Sequence, residues 1–378
     1  MIKSYKIRLF PTQDQEKKMW QHIGASRFIW NYMLAEQQRR YEAGEKHMSS
    51  FDMNKLLPSV KKVDGYEWLY DISANTLQRS CADLAKSYDN FFKEKARHPR
   101  FKSRKKDRPS FPLRDGIGSL LFEEGVVHLP KLGKVSYKTN YNIPFGRDKK
   151  FSNPRIHQNA KGKWILSFGI ECESQAPELT DKPMGIDLGI KETATVAFGD
   201  EHLVFHNINK SRKVRVLEKR LKHMQRCVSR KYQSNGSYEK TSNIIKQEAK
   251  IKKLHARLAN IRLDYTHQMT HKLVSLLPCR VIMEDLNVTG MMKNRHLSKA
   301  VQQQIFGEFI RQMKYKCEWN SIAFVQVNRF YPSSKTCSAC GCIKHNLKLS
   351  DRVYTCPECG HTIDRDLNAA INLMRYEA

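Results

Sequence analysis

Residues 355–370 read TCPECGHTIDRDLNAA, a cysteine knuckle running into two aspartates. Cys356, Cys359 and Gly360 repeat the form of an earlier knuckle, Cys337-Ser-Ala-Cys340-Gly341, with fifteen residues between the pairs. Each C-x-x-C-G turn directs two thiolates at one point, and the following glycine permits a positive φ. Four thiolates converging tetrahedrally suit Zn²⁺, and with no position left for water such a site is structural. A rubredoxin-type iron site uses the same ligands and remains the alternative. Cys342 falls outside the spacing and reads as a plain thiol. Beyond the knuckle, Asp366 opens a closing helix, 366–376, where the helix N-terminus favours its charge. An N-cap is the plainer role for such an acid.

Two more acids stand out upstream. Asp187 in MGIDLGI (184–190) and Glu284 in VIMEDLNV (281–288) interrupt apolar strand-like runs. A carboxylate in such a run is costly unless something pairs with it. Singly, Asp187 reads as a turn acid and Glu284 as a salt-bridge partner. Together, a first strand, a later strand and a C-terminal helix are the carboxylate-bearing elements of the RNase H-like fold. That arrangement holds two Mg²⁺ ions for in-line attack on a phosphodiester.

Charge points the same way. Lys and Arg number 67 against 38 acids, a formal charge of +29. Such an excess calls for a polyanion, and nucleic acid fits a long basic surface. A membrane surface is the weaker alternative, since no basic amphipathic terminus or lipidation signal is present. MIKSYKIRLFPTQ lacks an apolar signal core, and no apolar run is long enough to span a bilayer. Cys81, Cys172, Cys227, Cys279 and Cys317 are scattered singly, so a reducing, cytoplasmic setting with one metal site is expected.

Residues 3–10 alternate as a strand, and 13–95 are helical, with a glycine break in the first helix. Leu77, Cys81, Leu84, Tyr88 and Phe91 recur at helical spacing and read as bundle core. ARHPRFKSRKKDRPSF (96–111) interleaves basic residues with prolines and phenylalanines, a composition suited to gripping a nucleic-acid backbone. Residues 117–172 form a small β unit, expected as a barrel joined by the first strand, and 173–183 read as a linker. Residues 208–277 are two basic helices with a turn at 233–237; strands follow at 279–286 and 323–328, with one helix at 298–319.

The ordered motifs GIDLGI, MEDLNV, paired C-x-x-C-G and DRDLNAAINL resemble TnpB, a family of transposon-encoded RNA-guided nucleases related to type V CRISPR effectors. KSYKIRLFPTQDQ (3–15) and HPRFKSRKK (98–106) extend the resemblance over essentially the whole chain. It implies an α/β and β multidomain protein. A wedge β-barrel (1–12 and 101–182) would be interrupted by a helical recognition domain (13–100). An RNase H-like RuvC nuclease domain (183–378) would follow, carrying the helical hairpin (208–277) and an inserted zinc ribbon (331–360).

By motif, Asp187, Glu284 and Asp366 become the Mg²⁺-binding triad, Asp366 being chosen over Asp364 because it lies two residues before Asn368. Cys337, Cys340, Cys356 and Cys359 hold zinc. Asp364 is expected as a cap or supporting acid, and Arg365 as a phosphate contact. Arg100, Lys102, Arg104, Lys105 and Lys106 are candidate backbone contacts, and Asn75 and Gln78 candidate readers of base edges. The partners implied are a guide RNA copied from the transposon end and a double-stranded DNA target beside a short motif. The basic hairpin suits an RNA–DNA heteroduplex, read by shape and backbone. The chain stops at Ala378, without the basic tail that many relatives carry, which bears on RNA affinity. An RNA-guided repressor, which would lose one or more acids, and a DNA-strand transposase are the competing functions.

Overall fold

A computed structural model of the chain describes residues 1–146, 148–159, 161–172, 177–234, 240–348 and 351–377. Contacts divide it into two units, Met1–Glu173 and Ser174–Ala378.

The first unit combines helices with one curled sheet. Strand β1 (Ile2–Phe10) leads into helix α1 (Gln13–Glu42), followed by α2 (Ser50–Lys61) and α3 (Ala74–Phe92). A capping box between Thr12 and Gln15 starts α1, satisfying two helix-end groups reciprocally. The Gln15 amide also donates to the Leu132 and Lys134 carbonyls, at 3.1 and 2.8 Å. Gly24 does not break α1, which runs through it: a Cβ there meets nothing within 4 Å, and buried Ile23 and Ala25 hold the turn. Then come β2 (Ser110–Pro112), β3 (Gly116–Ile117), β4 (Leu121–Glu123), β5 (Val126–Leu129), β6 (Gly133–Lys138), β7 (Lys150–Gln158) and β8 (Trp164–Glu171).

The sheet order is β2-β7-β8-β1-β6-β5-β4, with β3 on β7, so the first strand lies at its centre. Among the described residues no ladder joins β2 to β4. The curl is closed instead by aromatic side chains, Phe122 lying 5.8 Å from Phe151 and 5.6 Å from Phe168.

In the second unit, β9 (Pro183–Leu188), β10 (Glu192–Phe198) and β11 (Glu201–His206) precede α4 (Arg212–Ser234) and α5 (Ser242–Val274). Residues 235–237 of the expected turn lie outside the described residues, as do 173–176 of the expected linker. Next come β12 (Arg280–Glu284), α6 (Val288–Lys293), α7 (Ser298–Gln304), α8 (Phe306–Trp319) and β13 (Ala323–Val327). The short hairpin β14 (Val353–Thr355) and β15 (Thr362–Asp364) leads into α9 (Arg365–Met374).

The single helix expected over 298–319 is two, because Ile305 adopts a left-handed conformation at φ 48°. A β-branched residue there is strained, so nothing in its identity signals the break. Strand β11 lies on the sheet edge and carries only exposed and half-buried residues, so no buried apolar run marks it in the sequence.

The five-stranded sheet has order β11-β10-β9-β12-β13, with β12 parallel to both β9 and β13. One face packs Met184, Ile186, Val281 and Met283 against Leu273 of α5 and Phe309 and Met313 of α8. The other packs Ile282 and Val327 against Leu373 of α9. The α4–α5 hairpin buries Leu217 and Met224 against Leu254 and Leu258. No helix among the described residues is long and apolar enough to cross a membrane.

Candidate functional site

Strand alternation decides where the acids point. Met184 and Ile186 face α5 and α8, so Gly185 and Asp187 face the α9 side. On β12, Val281 and Met283 face α5 and α8, so Ile282 and Glu284 face α9 as well. The ladder pairs Met283 with Ile186, and one further step sets Glu284 beside Asp187. Helix α9 lies on this same face with Asp366 in its first turn. Its approach is close: a Cβ on Gly185 would lie 2.1 Å from the Ala370 carbonyl oxygen and 2.3 Å from the Met374 nitrogen. Fully buried Ala369 and Ala370 leave the helix free to approach the sheet.

The acids oppose one another electrostatically. Burial pushes the Asp187 carboxyl up to about 8, and the charges of Glu284 and Asp366 act in the same direction against Arg365. Asp366 is raised too, first by burial and then by Asp364, against Arg352, Arg365 and Lys191. Clustered carboxylates that resist ionisation together are relieved by a bound cation, and their oxygens suit a hard divalent ion. They are not gathered as tightly as four single-ion ligands. Among the described residues, only the four cysteines form a set of three or more His, Cys, Asp or Glu with ligand atoms all within 4.8 Å.

Cys337, Cys340, Cys356 and Cys359 form that tight set. The Cys337–Cys359 and Cys340–Cys356 sulfurs lie 3.8 and 3.5 Å apart. Metal–sulfur bonds of about 2.3 Å in a tetrahedron require an edge of about 3.8 Å, so the cluster fits one zinc-sized ion. Both knuckle glycines, Gly341 and Gly360, have positive φ (77° and 72°). Amide groups of Cys359 and Glu358 help pull the Cys356 thiol down to about 6. Cys342 is not among the four.

What ties this ribbon to the acids is an amide pair that the motif reading passed over. Asn368 is fully buried; its Nδ2 donates to the Thr336 carbonyl at 2.7 Å and its Oδ1 accepts from the Ser338 amide at 3.0 Å. One turn on, Asn372 donates to the Ser333 and Thr336 carbonyls, each at 2.7 Å. Ser333 in turn donates its hydroxyl to Glu284. Two asparagines at i and i+4 inside an apolar helix were the available signal, since a buried amide needs partners.

Asp364 caps α9, its Oδ1 accepting from the Asp366 and Leu367 amides at 2.9 and 3.1 Å. Arg365 donates from Nη1 to the Lys348 carbonyl at 3.0 Å, so it braces the ribbon.

The basic segment is anchored to α1. Trp30 donates to the Arg100 carbonyl at 3.0 Å, and Asn31 bonds both backbone groups of Lys102, at 2.7 and 2.9 Å. The Lys102 ammonium sits 3.3 Å from the Trp30 ring centroid, and burial pulls its amine down to about 8. Arg100 pairs with Asp107 at 2.8 Å. Arg104, Lys105 and Lys106 are exposed. Phe111 belongs to the core, while Phe101 is solvent-exposed. Asn75 is half-buried on α3, and exposed Gln78 helps line a cavity of about 310 Å³ with Asn54, Lys61, Lys62 and Tyr70.

Comparison with known proteins adds three matched segments: "Probable transposase" over 167–295, "Cas12f1-like, TNB domain" over 306–373 and "Helix-turn-helix domain" over 1–46. In this structure, residues 1–46 hold one strand and one long helix. The chain is 31% identical over 389 residues to an Escherichia coli K12 protein named "Putative RNA-guided DNA endonuclease InsQ", covering 99% of this chain and 92% of that one. A Streptomyces pristinaespiralis protein named "Putative RNA-guided DNA endonuclease" is 29% identical over 373 residues, covering 98% and 88%. The Cas12f1 chain of a complex with guide RNA and target DNA shares the fold at TM-score 0.64, with 12% identity and 99% of each chain covered. The mini-RNA-guided endonuclease Cas-phi3 does so at 0.51, with 10% identity, covering 99% and 92%.

Proposed function

The chain belongs to the TnpB family, and from that premise we propose that it is an RNA-guided endonuclease that cuts double-stranded DNA beside a short target-adjacent motif. The observation that carries the reading is the shared orientation of Asp187, Glu284 and Asp366 toward one side of the five-stranded sheet. Asp187 and Glu284 come from adjacent parallel strands and Asp366 from the helix pressed onto them. These three would hold Mg²⁺, most naturally two ions. Bound there, the ions would activate a water and offset the charge that develops on the phosphate.

The chain's own groups prepare that place. Ser333 orients Glu284, Asp364 fixes the first turn of α9, and Gly185 admits the helix at the distance the carboxylates need. Four thiolates would bind one structural zinc, and Asn368 and Asn372 transmit its rigidity to α9. We assign the five-stranded unit to a RuvC-type nuclease domain and the curled sheet with its three helices to a wedge barrel carrying a recognition domain.

The net charge of +29 suits a guide RNA, expected from the transposon end, and its DNA target. Arg104, Lys105 and Lys106 would grip backbone phosphates, with Arg100 and Lys102 shaping the segment that presents them. Asn75 and Gln78 would contact the target-adjacent motif. The protein would act in the cytoplasm of a prokaryotic cell, at the nucleoid.

The test is direct. Protein purified with its bound RNA is expected to linearise, with Mg²⁺ present, a plasmid carrying the sequence complementary to that RNA's guide. Sequencing the co-purified RNA supplies the target. A preparation that carries a defined RNA, binds the matching plasmid and leaves it intact would overturn the nuclease reading.

A further inference from the structure

The loop between β13 and the first cysteine knuckle borders the carboxylate face, and one of its side chains has no structural role. Asn328 pins the turn: its side-chain oxygen accepts from the Phe330 amide, and its carbonyl from the Tyr331 amide, both at 2.9 Å. Arg329 reaches back to Asp285, next to Glu284, at 2.6 Å. Tyr331 packs edge-on against Tyr376 at 5.1 Å, and Ser333 bonds Glu284 itself. Phe330, between these anchors, is 85% exposed.

Single exposed apolar side chains are common and need no explanation. Tyr41, equally exposed at 85%, sits at the end of α1 and is one of them. Phe330 differs in being held on a backbone fixed from both sides, between residues bonded to Glu284 and to its neighbour. A flat apolar face there matches the face of a nucleobase, which stacks on aromatic rings whatever its identity. Base faces are covered within a duplex, so the matching ligand is unpaired.

We infer that Phe330 positions the substrate: its ring stacks on an unpaired base of the DNA strand whose phosphate meets Asp187, Glu284 and Asp366, and so sets which bond is cut. The inference rests on the nuclease reading above. Stacking of this kind is worth about 5- to 150-fold per base. Phe330→Ala in the RNA-loaded protein is therefore expected to lower kcat/KM for DNA cutting by about that factor. It should spread the cut over neighbouring bonds and leave guide-RNA loading unchanged, while Phe330→Tyr keeps wild-type rate and positions.

The readout independent of cutting is photocrosslinking. With 5-iododeoxyuridine placed in turn along the cut strand, irradiation of cleavage-dead Asp187→Ala protein should attach one or two adjacent positions to Phe330, identified by peptide mass. Wild-type rate and cut positions in Phe330→Ala, or crosslinks of the unpaired strand that bypass Phe330, would sink the inference with the nuclease reading intact. A wild-type protein that binds its target and cuts nothing removes both.

Discussion

Gly185→Ala is the sharpest probe of how the candidate site is built. The added Cβ would lie 2.1 Å from the Ala370 carbonyl oxygen, 2.3 Å from the Met374 nitrogen and 2.9 Å from its Cα. All three are backbone atoms of the same helix end, so no side chain can rotate away to make room. Restoring ordinary contact of 3.4 Å requires α9 to retreat by about 1.3 Å from β9. Overpacking of this kind costs typically 1–3 kcal/mol, and with rigid atoms as the only neighbours the upper end, about 3 kcal/mol, applies. A unit of this size loses about 2–4 °C in Tm per kcal/mol, so a drop of about 6–12 °C is expected. Because α9 carries Asp366, the same retreat misplaces a carboxylate by about 1 Å, enough to slow chemistry by about 100-fold. Thermal unfolding and single-turnover DNA cleavage read the two effects. A Tm within about 1 °C of wild type together with normal cutting would refute the close approach and the placement of Asp366 derived from it.

Asp364→Ala removes the cap of α9 and is expected to cost about 1 kcal/mol and slow cutting partially, whereas Asp366→Ala abolishes it; the reverse order of losses would shift the metal-binding acid by two residues. Asn368→Ala leaves the buried Ser338 amide without an acceptor, and denaturant unfolding should show a loss of about 1–3 kcal/mol. Burial, aided by Arg108 and Lys6, pulls the His157 imidazole down to about 4, against about 6.5 unfolded. Between those values the unfolded chain takes up a proton that the folded one refuses. Stability of the first unit is therefore full above pH 6.5 and falls as pH drops toward 4; in Tm measured against pH, His157→Gln should flatten that slope.

Much of the candidate site was legible because its residues break local rules. Acids inside apolar strands and paired C-x-x-C-G turns are improbable unless something specific holds them. β-strand periodicity then sufficed to orient Asp187 and Glu284 once the core residues beside them were known. Features set by distant parts of the chain were not legible. Ile305 breaks a helix although its identity argues against a left-handed backbone. Lys102 reads as one more cation in a basic run, yet lies against Trp30, seventy-two positions away along the chain. The hold of Arg365 on the ribbon has no sequence signature, because its partners are backbone carbonyls. Asn368 and Asn372 announced buried polarity in their spacing, but only the folded ribbon reveals the carbonyls they hold.

In the proposed function, the carboxylate face between β9, β12 and α9 cuts DNA chosen by a bound RNA. Its most direct test compares wild-type and Asp187→Ala proteins, each carrying its co-purified RNA, for binding and cutting of one matching plasmid. Equal binding by both is expected, with cutting by the wild type alone. An Asp187→Ala protein that cuts as well as the wild type would contradict it.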